Sequence, residues 1–323
     1  MELTKTIKEN EGTKTISYKG FSLTIIDDND KDIKANLSTD YFHNTVLGTF
    51  IFNNSAKYGT KCFFTFSTKA MYENCVPEVF GEKKYNCFNY PFYVFDALGL
   101  RFNNVSYLEI ACDTDTSVIK KIQYVVSHPK AFDMVLIRKK VTDPDAILSG
   151  YWEYYQRSRK RKENHPTLYV HSTNQVAGNR KELKIYDKAR ELIQYRPDKE
   201  EMIRAWNGMK KDIQRMEISV ENKQFRQYFI TICEKGSICW FPHSKFKGKS
   251  KMEQDATFRK SIEDFFFNLG VNEDLRADMF NYFAFNLLHF KCRDHSKTQI
   301  TLADLTQIPF SVLNHYVANK VVK

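Results

Sequence analysis

Three short segments of this 323-residue chain hold side chains able to act on a phosphodiester. "YLEIACDTDT" carries Glu109 and Asp113, with the small Ala111 between them. "ELKIYDKAREL" carries Tyr186, with Lys188 two places on and Lys184 two places before. "RMEISVEN" carries Glu217, flanked by Arg215 and Ser219. Carboxylates gathered in one place repel each other and need a neutralising charge. Mg2+ or Mn2+ meets that need through oxygen ligands and keeps positions open for phosphate oxygens. Glu109, Asp113 and Glu217 are therefore the expected metal ligands, with His171 of "LYVHST" as a further candidate. Such an ion polarises the scissile bond and offsets charge that grows in the transition state. A phenol has an ordinary pKa of about 10, so it attacks at neutral pH only where its anion is favoured. Lys188 and the ion would both favour the anion of Tyr186. Attack on DNA then leaves a phosphotyrosyl bond, which conserves for later rejoining the energy that hydrolysis would dissipate.

These groups can meet only if the backbone brings them to one surface. Alternation along "VSYLEIACDTDT" puts Tyr107, Glu109, Ala111 and Asp113 on one face of a strand and Leu108, Ile110 and Cys112 on the other. "RMEISVEN" divides in the same way, with Arg215, Glu217 and Ser219 opposite Met216, Ile218 and Val220. "ELKIYDK" reads as a strand that turns at once into a helix, and it forms a hairpin with "TLYVHST" across the Gly178–Asn179 turn. A sheet of such strands would bury its apolar face under helices and gather acids, a phenol and cations on the other. Taken singly, each residue also has a plainer reading: a solvated strand acid, a sheet tyrosine, an ordinary charge pair.

Elsewhere, "TVLGTFIFN" and "KCFFTFST" read as a further hairpin, Pro91 to Leu98 as a helix, "SVIKKIQYVVSHP" as a helix and "FDMVLIRKKV" as a strand. From about Asn222 the spacing becomes helical through "LRADMFNYFAFNLLHF". His289 and His295, in "LLHFKCRDH", fall in that helical tail and read as structural. The division expected is a tail and first strand over 1–40, a catalytic domain over 41–235 and a helical part over 236–323.

The net charge is +10 and the pI about 9.0, which favours a polyanionic partner. Arg157, Arg159, Lys160, Arg161 and Lys162 form a basic run suited to DNA phosphates, and Lys245 to Lys251 form a basic linker. Tyr151, Trp152, Tyr154 and Tyr155 either stack on unpaired bases or form the core side of a helix. The seven cysteines include no CxxC pair, which argues against a zinc ribbon or a dithiol redox motif and for reduced thiols in a cytoplasmic protein. The charged N-terminus lacks a signal-peptide stretch, and no apolar run is long enough for a bilayer, so no membrane is expected.

In order and wording, "YLEIACDTD", "LYVHSTNQ", "LKIYDKARELI" and "RMEISVEN" resemble the rolling-circle replication initiators of small plasmids and filamentous phages. The resemblance covers roughly residues 95 to 222. It implies an α+β fold with a central antiparallel β-sheet flanked by helices, related to the HUH endonucleases, followed by the helical C-terminal part. It implies Tyr186 as nucleophile, Lys188 as its companion, and Glu109, Asp113 and Glu217 as the acids for Mg2+ or Mn2+. It also implies nicking of one origin strand, with attachment to the 5′ phosphate. The sequence departs from the pattern at His171, where the family has Gly, and at Glu191, displaced by one place. Tyr169 on the adjoining strand stands as a rival nucleophile. The expected partners are single- and double-stranded origin DNA and a host helicase, with the chain acting as a monomer or homodimer. The alternatives are a non-catalytic basic DNA-binding protein and a conjugative relaxase.

Overall fold

The structure is a computed structural model. It describes residues 2–9, 14–28, 32–39, 46–53, 62–67, 70, 86, 88–137, 139–140, 152–154, 166–171, 181–195, 213–234, 251–293 and 298–321. By packing, the chain forms two units, each discontinuous in sequence: 1–103 with 244–273, and 104–243 with 274–323. The sequence suggested cuts near 40 and 235 instead. Both units mix helices with antiparallel sheets, as an α+β chain should.

The first unit is built on a five-stranded antiparallel meander: β1 (Thr15–Tyr18), β2 (Phe21–Asp28), β3 (Asp32–Ser38), β4 (Val46–Asn53) and β5 (Cys62–Phe66). Lys19 and Gly20, both at positive φ, make the tight turn from β1 to β2. The expected hairpin of "TVLGTFIFN" and "KCFFTFST" is the β4–β5 pair. Residues read as a tail instead begin with helix α1 (Glu2–Glu9), where Leu3 and Ile7, four apart, share a buried stripe. Helix α2 (Tyr90–Ala97) fixes the meander through the Tyr90 hydroxyl, which donates to the Leu47 carbonyl at 2.5 Å. Gly48, buried in β4, faces β5 so closely that a Cβ would meet Phe64 Cζ at 2.4 Å and the Thr65 carbonyl oxygen at 2.7 Å. Because one of those atoms is backbone, Gly48→Ala is expected to cost about 1–3 kcal/mol, read as a lower denaturant midpoint for this unit.

The second unit carries the predicted segments. Its main sheet has the order β6 (Tyr107–Thr114), β12 (Gln214–Glu221), β11 (Lys181–Asp187), β10 (Pro166–His171), β9 (Trp152–Tyr154), all antiparallel. Leu108, Ile110, Leu168, Val170, Leu183, Ile185, Met216, Ile218 and Val220 are all buried on one face. Helix α3 (Val118–Val126) packs against β11, and helix α5 (Asn222–Glu234) against β12 and β6. The period-two pattern was enough to assign this face, because alternate side chains must point to opposite sides.

A smaller sheet has the order β14 (Gln299–Ile300), β13 (Leu288–Cys292), β7 (Phe132–Leu136), β8 (Lys139–Lys140). Here the helical reading of the C-terminal part is corrected. Helix α7 (Glu273–Leu287), next in the chain after α6 (Lys251–Val271), passes directly into β13, so "LHFKC" is a strand. Leu287, Leu288 and Phe290 continue the helical spacing of Phe280, Phe283 and Ala284, which hides the change of period, and β7 supplies the partner that fixes the strand. His289 is structural as read: it is 5% exposed and its ring stacks on Phe285 at 3.9 Å. Trp152 to Tyr154 likewise form a strand and not part of a helix. Helices α8 (Leu302–Gln307) and α9 (Phe310–Val321) complete this unit. Lys121, buried on α3, donates at 2.6 Å to the Leu305 carbonyl in α8. No described helix is long and apolar enough to cross a membrane.

Candidate functional site

Strand β12 lies between β6 and β11, and this order brings the three predicted segments together. The register sets Tyr169, Lys184, Glu217 and Ala111 in one row across the sheet. Tyr186, Arg215 and Asp113 form the next row, and Glu182, Ser219 and Glu109 the row on the other side. Paired side chains on one face stand close enough to bond, and diagonal ones within reach of long side chains.

At the centre is Glu217, 8% exposed. Its Oε1 accepts from Lys184 Nζ at 2.8 Å, and its Oε2 accepts from the Tyr186 hydroxyl at 3.1 Å. The nucleophile candidate and one predicted acid are thus in direct contact. Tyr186 sits where β11 ends. Asp187 stops the strand, because its Oδ1 accepts from the Arg190 N–H at 3.0 Å and starts helix α4 (Lys188–Tyr195).

Asp113 is used differently from the expectation. Its two oxygens accept from Arg215 Nε and Nη2, each at 2.6 Å, in a nearly buried fork-to-fork pair. Glu109 Oε1 accepts from the Tyr107 hydroxyl at 3.0 Å and from Ser219 Oγ at 3.2 Å. Lys188 Nζ donates to Glu191 Oε2 at 2.5 Å and lies 5.5 Å from the centre of the Tyr186 ring. Lys184 lies 5.5 Å from that ring and 5.9 Å from the ring of Tyr169. His171 ends β10, but its side chain lies outside the described residues, as do Arg157, Arg159, Lys160, Arg161, Lys162, Tyr151, Tyr155 and most of the basic linker.

The electrostatics follow from these contacts. Burial, followed by the Glu217 charge, pushes the Tyr186 phenol far above its usual range. Burial, followed by the Glu217 charge, also pushes the Glu109 carboxyl up. Burial would raise Glu217 as well, but the Lys184 bond and charge outweigh it and hold this carboxyl below its usual range. Lys184 is lowered by burial and raised more strongly by Glu217, so its ammonium persists above the usual lysine range.

The pH consequences have opposite signs. Ionised Glu217 contributes stability that is present above its unfolded pKa and lost as pH falls through the depressed folded value. Glu109 opposes folding as it ionises, so its contribution is lost as pH rises through its raised value. Lys184 contributes below its unfolded pKa, and that contribution is lost as pH rises through the raised one. We therefore expect a carbon-13 carboxyl titration to give Glu217 a midpoint below that of an unfolded Glu, and Glu109 one above it. The reverse order would refute the hydrogen-bond assignments.

The observed donors fit a three-carboxylate cation site poorly as they stand. Asp113 is held by Arg215, and both oxygens of Glu217 are already engaged. Among the described residues no group of three or more His, Cys, Asp or Glu side chains is placed to share an ion. Two of the three acids are instead balanced by Arg215 and Lys184, two cations the sequence displayed without their pairing. Tyr107 and Ser219 are further participants, visible in the alternation but meaningless before register was known. No protein family, curated protein or solved structure matches the chain.

Proposed function

We propose that this chain is a tyrosine-nucleophile DNA nicking and joining protein that initiates rolling-circle replication of a plasmid or phage, on a sheet of the HUH-endonuclease type. The observation that carries the reading is the 3.1 Å hydrogen bond from the Tyr186 hydroxyl to Glu217 Oε2, at the end of the central strand of a five-stranded antiparallel sheet. A phenol that is hard to ionise alone becomes a nucleophile if a base removes its proton as it attacks. Glu217, kept ionised by Lys184, is placed to do that. Tyr186 Oη attacks the phosphorus, the P–O3′ bond breaks, the phenolic proton passes to Glu217, and the 3′ oxygen leaves. Reversal rejoins the strand. Lys184 stands within reach of charge developing beside the phenol, a part first expected of Lys188. Lys188, whose ammonium is as near the Tyr186 ring as that of Lys184, shares this part.

The net charge of +10 supports a nucleic-acid partner. The test is incubation with supercoiled origin DNA and Mg2+ or Mn2+, followed by denaturing electrophoresis. The reading expects open circles and a protein–DNA adduct resistant to denaturant. A chelator arm reports whether a divalent ion is required. A non-catalytic DNA-binding protein would retard the DNA and give neither product. A conjugative relaxase would give the same adduct at a transfer origin.

A further inference from the structure

Each acid that the sequence marks for a divalent ion meets a partner in the fold, and for two of them that partner is a cation. Asp113 and Arg215 are cross-strand neighbours, joined by two bonds of 2.6 Å in a nearly buried fork. Glu217 and Lys184 are cross-strand neighbours as well, bonded at 2.8 Å, with side chains 10% and 29% exposed. Residues opposed on one face of an antiparallel pair have Cβ atoms only ~5 Å apart, so register itself sets each cation beside its acid. Glu109 is the third acid, and its Oε1 accepts from the Tyr107 hydroxyl and from Ser219 Oγ.

A divalent ion would have to enter among these cations. With a metal–oxygen bond of ~2.1 Å, an ion on Glu217 Oε1 would stand ~4–5 Å from the Lys184 ammonium. Repulsion between a double and a single positive charge at that range weakens binding by at least about tenfold even in the dielectric of water, and by more in a partly dry site.

We propose that Lys184 takes the place of the divalent ion, so that charge on the scissile phosphate is met by an ammonium and no metal is needed. The proposal rests on the nicking reading and parts from the rolling-circle initiators at one point, the source of the positive charge. An ammonium has three N–H donors, and among the described residues one of those of Lys184 goes to Glu217. The others can meet a non-bridging phosphate oxygen. The group lies 5.5 Å from the Tyr186 ring, on the side of the acid that receives the phenolic proton. The step balances without an ion. The bond from Tyr186 Oη to phosphorus forms as P–O3′ breaks, the phenolic proton passes to Glu217, and the 3′ oxygen takes a proton from water. Lys184 donates to the phosphate where negative charge grows and keeps its own protons.

Two measurements on the intact protein test this. One is a Mn2+ titration followed by electron paramagnetic resonance, which reports the free ion. Wild type and Glu217→Gln are expected to give the same binding curve. Lys184→Ala and Lys184→Gln remove the charge and are expected to gain a Mn2+ site at least about tenfold tighter than anything wild type shows, the scale of the repulsion relieved. Lys184→Gln keeps a neutral donor to Glu217, so the comparison stands even if Lys184→Ala does not fold. Lys184→Arg keeps the charge and is expected to match wild type, and adding Glu217→Gln to Lys184→Gln is expected to abolish the gained site. The other measurement is adduct formation on supercoiled origin DNA, expected in EDTA to within about threefold of the rate in Mg2+, less than one tenfold step in barrier height.

The proposal is overturned if wild type binds Mn2+ and Glu217→Gln does not, if the folded Lys184→Gln gains no site, or if the adduct forms in Mg2+ and not in EDTA. Failure of the nicking reading is separate. Wild type would then give no adduct in either buffer, while the Mn2+ curves would still decide whether these acids hold an ion.

Discussion

Tyr186→Phe is expected to abolish the covalent DNA adduct and lower nicking by roughly 10^3-fold or more, the scale on which removal of a nucleophile acts. Affinity for origin DNA should change little, because the phenol ring and the cations around it remain. The lost hydroxyl also leaves Glu217 Oε2 without a donor seen at 3.1 Å, so a loss of about 1–3 kcal/mol in stability should accompany the change. Activity must therefore be read on protein shown to be folded, at a temperature well below its transition. Tyr169→Phe is the control. Tyr169 shares the Lys184 ammonium with Tyr186, at 5.9 and 5.5 Å from the two ring centres. Charge alone does not separate the two phenols; under the proposed mechanism the 3.1 Å bond to Glu217 is the reason for expecting Tyr186. An adduct that survives Tyr186→Phe and disappears in Tyr169→Phe would move the chemistry to β10.

Arg215→Ala should strongly destabilise the second unit. Arg215 and Asp113 are 8–9% and 5% exposed, and the guanidinium supplies both bonds to the carboxylate. Removing the cation takes two charge-assisted bonds from an acid in a dry place. Breaking such a pair costs about 3–5 kcal/mol, most of it the penalty of the stranded charge. The double variant Arg215→Ala with Asp113→Ala is expected to be more stable than Arg215→Ala alone. Arg215→Lys should recover only part of the loss, because an ammonium cannot form the two parallel bonds. Urea unfolding of the four proteins measures this directly. If the double variant is no better than the single, Asp113 is not stranded and the pair does not lock β6 to β12.

Arg215 also shows how the fold and the site depend on each other. It is the cross-strand neighbour of Tyr186 on one side and of Asp113 on the other. The pair that fastens the edge strand thus stands directly beside the phenol. Its charge opposes, but does not overcome, the burial and the Glu217 charge that keep the phenol protonated.

Much of this was determined locally by the sequence. A strand has a side-chain period of two, so "YLEIACDT" and "RMEISVE" state by themselves which residues share a face, and the structure buries Leu108, Ile110, Met216, Ile218 and Val220 accordingly. Asp187 after Tyr186 likewise marks the end of a strand and the start of a helix, because its side chain can cap the next turn. What period cannot state is which strand lies beside which. Residues 113 and 215 meet only because β12 is inserted between β6 and β11, a pairing settled by burial of the whole sheet rather than by any local preference.

That pairing changed the chemistry. Read along the chain, the carboxylates lacked a counter-charge and called for a metal ion, and Lys188 looked like the partner of Tyr186. In three dimensions Arg215 and Lys184 lie directly across from two of those acids, and Lys188 bonds Glu191 while its ammonium stays 5.5 Å from the Tyr186 ring. The strand at Leu288 was hidden for a similar reason: its first residues continue the helical spacing before them, and so short an apolar stretch fits either period until a partner strand supplies its hydrogen bonds. Composition and alternation thus determined the faces and the kinds of group on them. Only the tertiary structure decided which opposite charges touch, because Coulomb and hydrogen-bond energies depend on separations of a few ångströms that sequence distance does not encode.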